Sequence, residues 1–260
     1  MSPVRQISLR GRLRRHHARQ LVRAVMTAVV LSTPVIALAV LVQQRYAPLM
    51  ELDQRAIAAA TDLTRAHPGL RSALVLWQEI WQPWRAYLAA TLVCLWTWRA
   101  RGMTARSWWA WITMMLGWNL FLQVKLIVQR ARPVVDDPVS HAPGYSFPSG
   151  HAANTAAICM VLVVLLWPLL RTRARRTCAV VLASVATVTV LLDRVYLGVH
   201  FPSDVTAGLL LAAAFVYGSW RGFVHVPATR EDAVPANPSD PTDPTDPTTE
   251  RTDALGPRRT

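Results

Sequence analysis

Long apolar runs alternate with short polar segments along this chain of 260 residues. The first run, residues 24–42, has nearly the length of about 20 residues that an α-helix needs to cross a bilayer. Five further apolar stretches follow it. They comprise residues 83–98, 107–129, 149–170, 177–193 and 204–220. A soluble core cannot accommodate so many long apolar runs, so the pattern predicts an all-α fold, a polytopic membrane helical bundle with about six transmembrane helices.

The apolar and polar segments together predict three domains. Residues 1–23 form a basic N-terminal segment, and its length, with that of the apolar run behind it, favours a retained first span over a cleaved signal peptide. Residues 24–226 form the six-span membrane domain, with a short amphipathic helix expected around residues 51–66. Residues 227–260 are rich in proline, aspartate and threonine. Proline and acid at this density predict a disordered tail.

The charge pattern orients the predicted helices. The formal net charge is +13, yet only 17% of the residues are charged and 52% are hydrophobic, which is unusual for a nucleic-acid-binding protein. Arginines cluster at the N-terminus, in alternate loops and after the last span. The clusters are residues 5–23, then Arg99, Arg101 and Arg106, then Arg171, Arg173, Arg175 and Arg176, and finally Arg221. Because positively charged loops face the cytoplasm, we expect both termini to be cytoplasmic, a plasma-membrane location, and no nucleic-acid partner.

A second set of charged residues lies at the opposite ends of the predicted spans. Lys125, the only lysine of the chain, comes late in the third span. Arg132 follows it after two helical turns, just before Pro133, which helps to stop the helix. Charged residues within or beside membrane spans are costly, and this makes them candidates for a functional site.

Two polar segments reach the same predicted membrane face. In the first, Ser149 is suited to cap the fourth span, Gly150 lets a ligand approach the backbone, and His151 stands beside a helix N-terminus that attracts anions. In the second, His200 and Asp204 follow Arg194. A carboxylate can hold one imidazole nitrogen and leave the other free to attack a substrate.

The chemistry that fits this set is phosphoryl transfer. Three cations suit the equatorial oxygens of a transferring phosphoryl group, because stabilising the charge on these oxygens is the main catalytic task. No carboxylate cluster suggests magnesium, two histidines alone are weak evidence for zinc, and the three cysteines lack the spacing of metal ligands. We therefore expect no metal and no other cofactor.

The order and spacing of these residues resemble the three-part signature of the type 2 phosphatidic acid phosphatases. That superfamily also includes undecaprenyl pyrophosphate phosphatases and vanadium-dependent haloperoxidases. The three parts are Lys125-x6-Arg132-Pro133, Pro148-Ser149-Gly150-His151 and Arg194-x5-His200-x3-Asp204. The resemblance covers about residues 75–220.

This resemblance implies a metal-independent phosphatase and a role for each matching residue. His200 would be the nucleophile that forms a phosphohistidine, Asp204 would orient it, and His151 would protonate the leaving oxygen. The remaining site residues would bind the phosphate oxygens. They are Lys125, Arg132, Ser149, Gly150 and Arg194.

Some polar residues depart from the signature or lie outside it. The family often has serine where this chain has Asp193, which would lower the positive potential of the site if it reached it. Adjacent helix positions do not share a face, so we favour a side chain that points away and pairs with a neighbouring cation. Four residues that match no motif position are expected in a solvated loop or at the substrate rim. They are Arg130, Asp136, Asp137 and His141.

The favoured function is an integral membrane phosphatase that acts on a lipid phosphate or pyrophosphate, with its active site on the extracytoplasmic side. The substrate would be a polyprenyl pyrophosphate, a phosphatidate or a phosphatidylglycerophosphate, held with its tail in the lipid bilayer. The alternatives are a vanadate-dependent haloperoxidase-like enzyme and a catalytically silent lipid-binding or transport protein on the same scaffold. The sequence specifies neither the lipid nor the oligomeric state.

Overall fold

The apolar runs form helices, as their pattern predicts. The computed structural model describes residue 22 and residues 25–134 and 143–224. The predicted N-terminal segment, residue 22 apart, and the predicted tail lie outside this part of the chain. The described residues form eight α-helices. They are α1 (Val25–Gln43), α2 (Ala47–Ala66), α3 (Pro68–Ile80), α4 (Pro83–Arg101), α5 (Thr104–Val128), α6 (Gly150–Leu166), α7 (Arg173–Tyr196) and α8 (Pro202–Val224).

Five helices of the described part are long and apolar enough to cross a membrane. These are α1, α5, α6 with the 3-10 turn that follows it, α7 and α8. The span predicted at residues 83–98 does form a helix, α4, but α4 is not among the five. It contains three arginines and three tryptophans, whose polar groups work against its apolar side chains. The all-α membrane fold is therefore confirmed, with five clear membrane helices where about six were expected.

Helix α6 lies at the centre of the bundle, where it packs against α5, α7 and α8. Small side chains line it, and Ala152, Ala153 and Ala156 are fully buried. A Cβ atom added to Gly208 of α8 would lie 2.8 Å from the carbonyl oxygen of Ser149. Because a real Cβ atom cannot approach a backbone oxygen so closely, glycine at this position lets α8 reach the start of α6.

Helix α2 packs against the bundle although it is too polar to be a candidate span. It covers the amphipathic helix expected around residues 51–66 and begins earlier, with a proline in its first turn. Its buried residues, Asp53, Ile57, Thr61 and Thr64, share one face. This face contacts α7 and α8, and the Thr64 hydroxyl donates to the Tyr196 carbonyl at 2.9 Å. Asp53 thus reaches the start of α8, where the candidate site lies.

Candidate functional site

The predicted site residues converge at one end of the bundle. This end combines the last turns of α5 and α7 with the first turns of α6 and α8 and with residues 129–134 and 143–149. Lys125 lies in the last turn of α5, Arg194 in the last turn of α7, and Asp204 in the first turn of α8. Antiparallel helices bring these termini together, although they are far apart in the sequence.

His200 is buried between a cation and a carboxylate. Its Nε2 atom lies 3.2 Å from Arg132 Nη1, and its Nδ1 atom lies 3.6 Å from Asp204 Oδ2 and 3.3 Å from the Ser146 hydroxyl. A guanidinium can only donate hydrogen bonds, so Nε2 carries the lone pair in this arrangement and Nδ1 carries the hydrogen. Burial lowers the pKa of His200 to about 4, and the nearby Asp204 only partly offsets this effect. The ring is therefore neutral at pH 7.

Asp204 is fully buried and saturated with donors. Its Oδ2 atom accepts the Phe201 backbone N–H at 2.9 Å and a short hydrogen bond from the Ser146 hydroxyl. Its Oδ1 atom accepts Arg130 Nη1 at 2.7 Å. A carboxylate held by so many donors has little freedom to rotate. It also holds the Ser146 hydroxyl, which lies 3.3 Å from His200 Nδ1 and helps to orient the ring.

Arg130 is not in a solvated loop or at the substrate rim, and that expectation was wrong. Its side chain is buried and lies over the Phe201 ring, with 4.1 Å between the guanidinium carbon and the ring centroid. Gln129 ends α5 in the left-handed conformation, at φ 52°, and an irregular segment follows. Side chains two residues apart in such a segment can project to the same side, which brings Arg130 and Arg132 toward the site together. The other three residues of that prediction, Asp136, Asp137 and His141, lie outside the described residues.

Arg132 joins three parts of the site. Its Nη1 atom donates to the Val199 carbonyl at 2.8 Å, and its Nε and Nη2 atoms donate to the Gly144 and Pro143 carbonyls at 3.0 Å each. Lys125 Nζ similarly donates to the Tyr145 carbonyl at 2.8 Å. Both cations are half-buried, and both order the segment that leads into α6.

Arg194 is buried and forms an ion pair with the adjacent Asp193. Its Nε atom donates to Asp193 Oδ2 at 2.9 Å, and Nη2 makes a short contact with the same oxygen. The expected pairing of Asp193 with a cation is thus observed, but the cation belongs to the predicted phosphate site. The argument from helix faces was wrong here because the long arginine side chain folds back on its neighbour. Asp193 therefore does lower the positive charge available at this end.

The start of α6 supplies the last three predicted residues. Ser149 is the N-cap, as predicted, and its hydroxyl accepts the Ala152 N–H at 3.5 Å while its own N–H donates to the Asp204 carbonyl at 3.0 Å. A Cβ atom at Gly150 would meet nothing within 4 Å, so its backbone borders open space. His151 Nε2 is buried and has no hydrogen-bond partner among the described residues. An unpaired nitrogen at this position can serve a substrate oxygen.

Asp53 is the residue that sequence reasoning missed entirely. It is 1% exposed, and it accepts hydrogen bonds from Arg130 Nη2 at 2.7 Å and from the Ser203 N–H at 3.0 Å. The available signal was an acidic residue one helical turn before Ile57, on the apolar face of an amphipathic helix. No group of three or more histidine, cysteine or acidic side chains that could hold a metal ion occurs in the part of the chain that the structure describes.

Comparison with known proteins supports the resemblance seen in the motifs. Residues 107–226 match the family model of the PAP2 superfamily. The chain is 39% identical over 85 residues to phosphatidylglycerophosphatase B of Bacillus subtilis, a match that covers 32% of this chain and 41% of that protein. It is 38% identical over 84 residues to an undecaprenyl-diphosphatase of Sulfolobus acidocaldarius, a match that covers 32% of each protein. The matched segments span less than half the length of these curated relatives.

A solved structure shows the same fold. It is the crystal structure of a transmembrane PAP2-type phosphatidylglycerolphosphate phosphatase from Bacillus subtilis, with a TM-score of 0.62 and 24% sequence identity. The structural similarity covers 75% of this chain and 94% of the other chain. It therefore extends to helices of this chain that lie outside residues 107–226.

Proposed function

We propose that this chain, which belongs to the PAP2 superfamily through residues 107–226, is an integral membrane phosphatase that hydrolyses a lipid phosphate or pyrophosphate. The observation that carries the proposal is the setting of His200. Its Nε2 lone pair faces Arg132, while its Nδ1 atom faces a fixed carboxylate. A neutral imidazole so oriented is a nucleophile with an anion-binding cation beside it.

The first chemical step transfers the phosphoryl group to the enzyme. Nε2 of His200 attacks phosphorus, and the bond from phosphorus to the lipid oxygen breaks. His151, protonated once the anionic phosphate offsets the neighbouring cations, gives its proton to that oxygen. Lys125, Arg132 and Arg194 stabilise the charge on the equatorial oxygens, and the Gly150 N–H at the start of α6 adds a donor. Asp204 stabilises the positive charge on the phosphorylated ring. Ser149 was expected to bind a phosphate oxygen, but it is fully buried and its hydroxyl caps α6, so its role here is to hold this backbone in place.

The second step releases inorganic phosphate. Water attacks the phosphohistidine, the bond from nitrogen to phosphorus breaks, and His151 takes the proton from the water. The cycle ends with neutral His200 and protonated His151, and it needs no metal ion or other cofactor.

The charge distribution supports an extracytoplasmic site in the plasma membrane. Arg106 lies at the start of α5 and Arg221 at the end of α8, whereas Lys125 and Asp204 lie at the other ends of these helices. The arginine-rich end would face the cytoplasm. Helix α4 would be the sixth span, because its length matches that of α1 and its large apolar side chains, such as Leu92, point outward. Both termini would then be cytoplasmic.

Phosphate release by the purified protein tests this function. The full chain in detergent with a chelator is assayed on phosphatidate, phosphatidylglycerophosphate and undecaprenyl pyrophosphate. We expect release from at least one of these lipids, and a loss of about 1,000-fold or more in His200→Ala. The matched control is His67→Ala, which removes an exposed histidine of the connection between α2 and α3.

Two results would contradict the proposal. One is full activity in His200→Ala. The other is a wild-type protein that releases no phosphate but oxidises halide with added vanadate and peroxide, which would favour the haloperoxidase-like alternative.

A further inference from the structure

Helix α2 contributes a buried carboxylate to the site from outside the segment that matches the family. Asp53 lies more than 50 residues before residue 107, where the family match begins. Its side chain is 1% exposed, and both carboxylate oxygens accept hydrogen bonds. Burying a charged group is costly unless it is paired, so this carboxylate is held in place by its partners.

Arg130 joins Asp53 to Asp204. Its Nη2 atom donates to Asp53 Oδ2 and its Nη1 atom to Asp204 Oδ1, each at 2.7 Å. Nη1 also donates to the Ser203 hydroxyl at 2.7 Å, and this hydroxyl donates to Asp53. The two arms of one planar guanidinium thus bridge two carboxylates. The path of contacts runs from Asp53 through Arg130 and Asp204 to His200.

The second carboxylate changes the charge next to His200. Arg130 and Asp204 alone would form an ion pair with no net charge. With Asp53 included, the three side chains carry one net negative charge. In a site this buried, where charges act over several ångströms with little screening, that difference reaches the His200 ring.

The other charged groups around His200 are mostly positive, so the extra negative charge matters. They come from each element packed against the ring. These groups are Lys125 of α5, Arg130 and Arg132 after it, His151 of α6, Arg194 of α7 with its partner Asp193, and Asp204 of α8. Without Asp53, Arg130 would neutralise the charge of Asp204, and the other charges that act on His200, those of Lys125 and Arg132, are positive.

We propose that Asp53 is a positioning residue of the phosphatase site, which keeps Arg130 from cancelling the negative charge that Asp204 presents to His200. This inference rests on the proposed function. In this role Asp53 favours the positively charged ring of the phosphohistidine. It also holds the guanidinium that limits the rotation of Asp204.

Asp53→Asn tests the role because it removes the charge and keeps the shape. We expect kcat on the preferred lipid phosphate to fall about 10- to 100-fold, with KM changed by less than about threefold, since Asp53 does not touch the substrate. Asp53→Glu, which keeps the charge, should recover part of the loss. Two control variants are measured alongside, one for the change of charge and one for the docking of α2. Asp62→Asn makes the same chemical change at an exposed position of α2, and Thr64→Val removes the hydrogen bond that docks α2 on Tyr196.

The pH dependence separates an electrostatic role from a structural one. Loss of the negative charge at Asp53 disfavours protonated His200, so its pKa falls and the acid limb of kcat/KM moves to lower pH. A loosened site would let water reach His200, raise its pKa toward the ordinary value of about 6.5, and move the acid limb to higher pH. The measurement is a kcat/KM profile of wild type and the four variants, with a melting temperature for each.

The outcomes distinguish this inference from the function on which it rests. An acid limb that moves to higher pH in Asp53→Asn, or a kcat equal to that of Asp62→Asn, would overturn the role of Asp53 alone. If kcat fell as much in Thr64→Val as in Asp53→Asn, with the same pH profile, the role of Asp53 would be only to dock α2 on the bundle. A wild-type protein that releases no phosphate would overturn the proposed function itself.

Discussion

Both ends of the bundle carry basic residues, but the exposure of these residues and their interaction partners differ between the two ends. At one end Arg99, Arg173 and Arg221 are exposed. Several arginines of this end lie over tryptophan rings, as Arg99 does over Trp98 with 4.5 Å between the guanidinium carbon and the ring centroid. At the other end the four cations of the candidate site are half-buried or buried, and each one donates to carbonyl or carboxylate oxygens.

Under the proposed function, the exposed arginines would set the orientation in the membrane, and the buried cations would bind the phosphate. An exposed arginine keeps its hydration and costs little, so it can be moved or replaced along its loop with small effect. A buried cation must be matched by acceptors, and here Asp53, Asp193 and Asp204 provide them. Neutralising one residue of the buried set should therefore change activity, whereas the same change at the exposed end should not.

Arg132→Ala should have the largest effect of the substitutions that test this difference. It removes the cation beside His200 Nε2 and three hydrogen bonds to carbonyl oxygens. We expect kcat/KM to fall by about 100- to 1,000-fold, as for loss of a charged donor to a transition-state oxyanion. The control is Arg173→Ala at the exposed end, which should retain activity. Equal activity of the two variants in a phosphate-release assay would remove the distinction between the two ends.

Lys125→Arg should have a smaller but clear effect. The positive charge is kept, but a planar guanidinium replaces a compact ammonium that donates to the Tyr145 carbonyl at 2.8 Å. We expect about a tenfold lower kcat/KM, because the larger group displaces the segment that leads into α6. The comparison variant is Arg101→Lys at the opposite end, which should behave as wild type. Unimpaired turnover in Lys125→Arg would show that the site needs only a charge at this position.

Asp193→Asn should have the smallest effect, and it should strengthen anion binding, whereas the two substitutions above lower activity. Asp193 now accepts from Arg194, so its neutralisation leaves more of the guanidinium charge for a phosphate oxygen. We expect inhibition by inorganic phosphate to tighten by about three- to tenfold. Asp62→Asn, an exposed carboxylate of α2, serves as the control. Weaker inhibition in Asp193→Asn would mean that Asp193 orients Arg194 rather than competing for it.

The helices were predictable from the sequence because long apolar runs admit few other structures in a membrane. The three motifs were also predictable as one site, since their order places them at the same end of antiparallel spans. Helix α4 was the exception, because the apolar run at residues 83–98 forms a helix that is not among the five candidate membrane helices. It contains three arginines and three tryptophans, and it still packs against α5 and α6.

The residues that sequence reasoning missed depend on tertiary contacts. Arg130 was assigned to solvent because it matches no motif, and its true partners, Asp53 and Asp204, are 77 and 74 residues away. Asp53 lies in a helix that looks like an outer loop segment, and only its packing on α7 and α8 shows which face is buried. The pairing of Asp193 with Arg194 depends on the bend of one long side chain, which helical periodicity does not describe.

The most direct test of the central claim, that His200 attacks phosphorus at the buried end, is to trap the phosphoenzyme. The purified protein is mixed with a lipid phosphate labelled in its terminal phosphate and quenched in alkali within milliseconds. We predict an alkali-stable, acid-labile label that mass spectrometry assigns to His200 in the wild type and that is absent from His200→Ala. A label on another residue, or phosphate release by His200→Ala at the wild-type rate, would contradict the account.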